Sequence, residues 1–247
     1  MSEVQPQPIR AGLAGVGLVA ALMGTLTATD GLGPWGWAVG LSCGLLGNLW
    51  LVTAMARSGR GQLGPADVVT LARATLACGV AALVADAFTK PTPVTTLVLI
   101  ASTALVLDWV DGRVARRTGT VSELGARFDL EVDAFLILVL TVNAARDFGP
   151  WVLVIGLASY ALLGARRLLP WLDRPAPPRH WCKVVAATQG IVLTVAAAGV
   201  LPHAVTTALL ALALVLLAES FGREVIWLWR TKEAEPAVPT PTLSRAA

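Results

Sequence analysis

The stretch "LDWVDGRVARRTGTVSELGARFDLEVD", from Leu107 to Asp133, holds six acidic residues in a chain that is 55% hydrophobic. Apolar sequence lies on both sides, with "TPVTTLVLIASTALV" before it and "AFLILVLTV" after it. The joining segment carries three glycines, Gly112, Gly119 and Gly125. Two consecutive apolar helices joined in this way predict an antiparallel hairpin with its acidic side chains gathered at one end.

The composition indicates a membrane protein. Only 14% of the 247 residues are charged, against about 25% in soluble domains, and the mean hydropathy is +0.69. The net charge of +3 is not arranged as a basic patch interleaved with aromatic residues, so nucleic acid is not a predicted partner. The predicted environment is the lipid bilayer.

Eight apolar segments each come close to the roughly 20 residues that cross a bilayer. They predict an all-α integral membrane protein with about eight transmembrane helices. The predicted spans are 11–29, 33–55, 71–88, 93–111, 128–146, 149–169, 184–201 and 203–229.

The basic residues predict the orientation of these spans. Of the 19 Lys and Arg residues, all but Lys90 and Arg146 fall on the side of the N-terminus. By the positive-inside rule this side is cytoplasmic. Both termini and the acidic stretch are therefore predicted to be cytoplasmic, in a protein of the plasma (inner) membrane.

The chain divides into three parts. Residues 1–62 predict two N-terminal spans and a linker, and residues 63–232 predict a six-helix catalytic domain. The segment "ADVVTLARATLA" (66–77) predicts a short interfacial amphipathic helix that runs into the third span, with Asp67 as a cap. The Pro/Ala/Thr-rich tail, 233–247, predicts a disordered cytoplasmic segment.

The aspartates are paired along the chain. Asp108 and Asp111 are spaced i, i+3, and Asp129 and Asp133 are spaced i, i+4, so each pair shares one helix face. Four neighbouring carboxylates repel one another unless a cation lies between them. Oxygen ligands without nearby His or Cys suit Mg²⁺ or Mn²⁺, and four of them suit two ions.

The residues around the aspartates fit a phosphate-bearing substrate. Gly112, Ala115 and Gly125 let a bulky ligand approach the backbone, and Arg116 can contact a phosphate. Glu131 points away from the shared face, which favours a solvated charge.

The full spacing is Asp108-x2-Asp111-Gly112-x2-Ala115-Arg116-x8-Gly125-x3-Asp129-x3-Asp133. It resembles the signature of the CDP-alcohol phosphotransferase (CDP-alcohol phosphatidyltransferase) family at every fixed position. The resemblance covers roughly residues 63–229, which correspond to the family's interfacial helix and six spans, and it leaves the first two spans as an addition.

The resemblance implies a phospholipid-synthesising transferase. A phosphatidyl group moves from CDP-diacylglycerol, or a related CDP-linked lipid, to an alcohol acceptor, and CMP leaves. It implies that Asp108, Asp111 and Asp129 bind metal, with Asp133 beside the metals as general base. The resemblance further implies that Gly112, Ala115, Arg116 and Gly125 contact the CDP group, and it allows a homodimer.

Two further segments are compared with the family. Thr70 and Arg73 match positions of its entry helix that are implied to contact the nucleotide, whereas Asp67 stands where Asn is usual. An acceptor site is predicted for a basic cluster that would suit a phosphorylated alcohol. Glycerophosphate-transferring relatives often carry a second Lys and a Thr where this chain has Val185 and Ala186. The acceptor cluster comprises Arg166, Arg167, Arg179 and Lys183.

Two other functions remain open. An intramembrane prenyltransferase also uses Asp-rich helices, Mg²⁺ and a diphosphate substrate, but its two Asp motifs usually lie on well-separated helices. A divalent-cation transporter, which is not an enzyme, would carry acidic residues deep within several spans. Here the acidic residues concentrate in one stretch, which favours the transferase.

Overall fold

The computed structural model describes residues 6–58, 64–118, 123–169 and 180–232. Within these ranges the chain is all-helical and contains no strand, as predicted. Each predicted span overlaps one α-helix. The helices are α1 (Pro6–Asp30), α2 (Pro34–Ser58), α3 (Pro65–Asp86), α4 (Val94–Thr118), α5 (Glu123–Phe148), α6 (Leu153–Leu168), α7 (His180–Ala198) and α8 (His203–Lys232), with a 3₁₀ turn at Pro150–Val152 before α6.

Five helices are long and apolar enough to cross a membrane: α1, α2, α3, α7 and α8. Two shorter apolar segments, Val94–Val110 in α4 and Pro150–Leu162 around α6, accompany them. α5 belongs to neither group, and it carries Asp129, Glu131 and Asp133 in its first half. The membrane class is therefore supported, while the number of eight spans stays a prediction. The predicted disordered tail, 233–247, lies outside the described residues.

α3 lies at the centre of the bundle and contacts α1, α2, α4 and α5. Its middle is built from small residues, and Ala77, Val80 and Ala82 are completely buried. Small side chains let neighbouring backbones approach closely, which is how helices pack in lipid. On the other side of the bundle, α5 contacts α6 and α7, and α8 packs on α7.

The segment predicted as an interfacial helix runs into the third span without a break, and the two form the single helix α3 from Pro65 to Asp86. No Pro or Gly interrupts its backbone hydrogen bonds before Gly79. The N-cap residue is Gly64 rather than the predicted Asp67, because the helix begins at Pro65. Asp67 is the third residue of the helix, and its carboxylate accepts a hydrogen bond from the Gly64 amide at 2.8 Å. Its polar side chains are buried while Val68 is 53% exposed, so the polar face points into the protein.

A buried carboxylate ties α2 to α3 at one end of the bundle. Asp86, at the C-terminal end of α3, is 1% exposed. It accepts hydrogen bonds from the backbone amides of Gly33 and Gly36, the latter at 2.8 Å, at the start of α2. Lys90 completes the cluster with an ion pair of 2.9 Å. A carboxylate is well placed here because a helix N-terminus presents unpaired N–H groups.

α2 also supports the first half of α5. Leu51 and Met55 of α2 form a buried cluster with Phe128 and Val132 of α5. The Trp50 ring stacks on Phe128 with centroids 5.7 Å apart. These contacts lie on the residues that flank Asp129, so the N-terminal helices help to position that aspartate.

Candidate active site

Three helices bring their charged residues together at the end of the bundle away from Asp86. Arg73 lies 13 residues before Asp86 on α3, or about 20 Å along the helix. Asp108 comes from α4, and Asp129 and Asp133 come from consecutive turns of α5. The i, i+4 spacing places both α5 carboxylates on one face.

The three aspartates form a compact set of oxygen ligands. Asp108, Asp129 and Asp133 each offer one carboxylate oxygen, and these oxygens lie within 4.8 Å of one another. Their side chains are between 36% and 43% exposed. The group is thus partly shielded by the bundle and still open to a ligand.

Arg73 is the cation that the structure places among these carboxylates. Its side chain is 1% exposed and hydrogen-bonds to both Asp129 and Asp133. A further ion pair joins it to Asp108 at 3.0 Å. One guanidinium therefore contacts three carboxylates that come from two helices. Like charges at this spacing repel one another, and Arg73 offsets part of that repulsion.

The donor set fits a divalent metal. Mg²⁺ binds oxygen ligands at about 2.0–2.1 Å, so oxygens on opposite sides of one ion lie about 4 Å apart. The three carboxylate oxygens are within 4.8 Å of one another, which is close to that separation. Hard oxygen ligands suit Mg²⁺ or Mn²⁺.

The other predicted ligands and nucleotide contacts are only partly described. Gly125 is half-buried near the start of α5. Thr70 is 3% exposed and precedes Arg73 by one helical turn. The backbone of α4 is described at four further residues of the signature, but the surroundings of their side chains are not. These residues are Asp111, Gly112, Ala115 and Arg116.

The predicted basic acceptor cluster is likewise mostly outside the described part. Lys183 is exposed on α7. The side chains of Arg166 and Arg167, and the whole of Arg179, are not among the described residues. The cluster stays a prediction.

A pocket of about 250 Å³ opens beside Asp133, between α5, α6, α7 and α8. Most of its lining is apolar, and Val185 and Ala186 belong to it. Sequence reasoning missed this site. Besides Asp133, its polar lining includes Glu131, Ser159, Tyr160, Gln189, Ser220 and Glu224.

Comparison with known proteins identifies the family. The model of the family described as CDP-alcohol phosphatidyltransferase matches residues 64–219, more than half of the chain. The match begins at the residue before α3 and includes Arg73 and all three clustered aspartates. No curated protein and no solved structure matches the chain. The chain belongs to the CDP-alcohol phosphatidyltransferase family.

Proposed function

We propose that the protein transfers a phosphatidyl group from CDP-diacylglycerol to an alcohol and releases CMP, in a divalent-metal-dependent reaction. The observation that carries the proposal is the set of three carboxylate oxygens within 4.8 Å of one another, in a chain of this transferase family. Membership implies a CDP-linked substrate and a lipid environment. The family match favours this reaction over the prenyltransferase and the cation transporter.

Asp108 and Asp129 would hold the metal, together with Asp111 and Asp133. When bound, the metal neutralises the diphosphate of the donor and stabilises the CMP leaving group. Arg73 holds the carboxylates of α4 and α5 in register, since it contacts all three described aspartates. Two ions and the choice between Mg²⁺ and Mn²⁺ are part of the proposal.

Asp133 would act as the general base. It is the one clustered aspartate that also lines the pocket, so an alcohol in the pocket lies beside its carboxylate. A carboxylate oxygen of Asp133 takes the hydroxyl proton while the alcohol oxygen bonds to the phosphorus of the phosphatidyl group. The bond from that phosphorus to the bridging oxygen breaks, and CMP leaves with the electron pair.

The nucleotide end of the donor is assigned to the residues of the family signature. Gly112, Ala115, Arg116 and Gly125 would contact the CDP group, with Thr70 nearby on α3. The proposal places this catalytic domain at 63–232, with both termini and the site at the cytoplasmic side of the plasma (inner) membrane. It treats 1–62 as an additional helix pair.

The test is a transfer assay with purified protein, CDP-diacylglycerol, Mg²⁺ or Mn²⁺ and a panel of alcohols. CMP release is measured and the lipid product is identified by mass. We expect wild-type protein to release CMP in a metal- and alcohol-dependent manner, and Asp129→Asn to lose this activity. Asp147→Asn is the matched control, because Asp147 is exposed at the far end of the same helix. Equal activity in Asp129→Asn and wild type refutes the proposed site.

A further inference from the structure

The first half of α5 carries two of the clustered aspartates but buries few of its side chains. Between Gly125 and Asp133 the buried residues are Phe128 and Val132. They are spaced i, i+4 and therefore share one face of the helix. Each of them directly precedes an aspartate, so the rotation of this face decides where the carboxylates of Asp129 and Asp133 point.

α2 supplies apolar surface for this face of α5. Leu51 and Met55 of α2, also spaced i, i+4, form one buried cluster with Phe128 and Val132, and Leu71 of α3 completes it. We call these five residues the support cluster. Of the three residues that pack with the two from α5, two thus belong to a helix outside the family match, which begins at residue 64.

The support cluster also reaches the cation of the site. Leu71 lies two residues before Arg73 on α3, and Ala74, which packs against the cluster, directly follows Arg73. Arg73 contacts all three clustered aspartates. The backbone segments that hold this guanidinium and two of the carboxylates are therefore all packed on the same apolar cluster.

A change of volume in this cluster should be felt at the carboxylates. Buried side chains interdigitate with little spare volume, so they transmit strain to their neighbours. Truncating the completely buried Met55 side chain leaves a cavity that the surrounding helices fill only in part. The first half of α5 can then shift relative to Arg73 and Asp108. A misplacement of about 1 Å can cost about 10²-fold in rate.

We infer that α2 is a working part of the active site, and that Leu51 and Met55 are positioning residues for its metal ligands. They act through Phe128 and Val132, the neighbours of the two carboxylates of α5. The inference rests on the proposed function, since the metal site belongs to it. It goes beyond that function, which treats residues 1–62 only as an additional helix pair.

The test uses the full-length protein and a matched pair of substitutions, Met55→Ala and Met23→Ala. Both methionines are completely buried, so both substitutions should lower the unfolding temperature to a similar extent. Met23 of α1 lies away from the site. It lies against Gly40 of α2, which in turn lies against Ala82 of α3. Ala82 is nine residues beyond Arg73, or about 14 Å along the helix.

We expect Met55→Ala to raise the Kd for Mn²⁺ about tenfold, the lower end of what loss of a residue behind metal ligands costs. Electron paramagnetic resonance of the bound ion is the readout. The kcat of CMP release should fall at least about tenfold at a temperature where the variant is folded. Met23→Ala should leave both values unchanged. Met55→Leu, which nearly conserves the side-chain volume, should keep both near wild type.

A Kd for Mn²⁺ that is equal in folded Met55→Ala and Met23→Ala overturns the inference, whatever the kcat, and leaves the proposed function standing. If Met55→Ala does not fold, Leu51→Val and Leu26→Val provide the same comparison with a smaller cavity, because Leu26 is a buried residue of α1 in the main core. An equal Kd in that pair overturns the inference too. Wild-type protein that neither binds Mn²⁺ nor releases CMP contradicts the proposed function, and the inference with it.

Discussion

Acidic side chains lie at both ends of α3, and their surroundings differ. At one end, Asp86 is matched by two backbone amides and the ammonium of Lys90. At the other, Asp108, Asp129 and Asp133 share the guanidinium of Arg73. The carboxylate of Asp86 has donors of its own, whereas three carboxylates from two helices contact the same guanidinium and form a set of oxygen ligands.

The difference shows that an aspartate in a membrane-like helix is not by itself a sign of function. Asp86 is the more deeply buried, at 1% exposed against 36–43% for the three clustered side chains. Its surroundings nevertheless indicate a structural role, because they satisfy the charge. The grouping of several carboxylates from two helices, rather than the depth of any one of them, separates the two cases.

The largest effect should come from Asp108→Asn. It removes a metal ligand, so donor binding and charge stabilisation both fail. We expect CMP release to fall by more than the roughly 10²–10⁴-fold typical of losing a general base. Unfolding temperature in detergent, measured in parallel, should not fall, since the variant also relieves repulsion. Near-normal turnover in Asp108→Asn would show that Asp108 is not a metal ligand of the active site.

Asp133→Asn should have the next largest effect. It removes the proposed base and leaves Asp108 and Asp129 in place, so turnover should fall about 10²–10⁴-fold while the variant still binds CDP-diacylglycerol and metal. Equilibrium binding of the nucleotide lipid, together with single-turnover CMP release, separates these effects. If binding is lost as fully as in Asp108→Asn, Asp133 is chiefly a ligand and the base lies elsewhere.

Asp86→Asn should lower the stability of the protein and leave its activity intact, the opposite of what we expect for Asp108→Asn. The neutral amide weakens the bonds from Gly33, Gly36 and Lys90, which are charge-assisted in the wild type. We expect a loss of about 1–3 kcal/mol, read as a lower unfolding temperature, with kcat preserved at temperatures where the protein is folded. A folded variant with no turnover would show that Asp86 is not merely structural.

Trp50→Leu should produce the smallest effect. It removes the stacking of Trp50 on Phe128, which is worth about 0.5–1.5 kcal/mol beyond the buried area. Unfolding temperature should fall slightly. Trp35→Leu is the control, because Trp35 on the same helix is 64% exposed. Equal effects of the two substitutions would show that α2 does not specifically support α5.

The sequence predicts the helical class and the grouping of acidic residues for clear physical reasons. Long apolar runs mark the helices, and the i, i+4 spacing of Asp129 and Asp133 places them on one face. The hairpin of α4 and α5 then brings Asp108 to the same place. These are local features, and local spacing is what a sequence displays directly.

Other parts of the site depend on contacts between distant segments. Arg73 contacts aspartates 56 and 60 residues further along the chain, and the family resemblance implied only a nucleotide contact for it. Gln189 and Glu131 share a pocket because α5, α7 and α8 pack together. Asp86 is held by amides of Gly33 and Gly36, and backbone donors leave no mark in the sequence.

The central claim is that the aspartate cluster binds a divalent cation, and Mn²⁺ binding followed by electron paramagnetic resonance tests it most directly. Wild type, Asp86→Asn and Asp129→Asn are titrated in detergent, with and without CDP-diacylglycerol. The account predicts saturable Mn²⁺ binding in wild type and in Asp86→Asn. In Asp129→Asn the Kd for Mn²⁺ should rise at least about tenfold, since loss of a residue that only hydrogen-bonds to a metal ligand already lowers metal affinity by about that factor. Mn²⁺ binding in Asp129→Asn that matches wild type would contradict it.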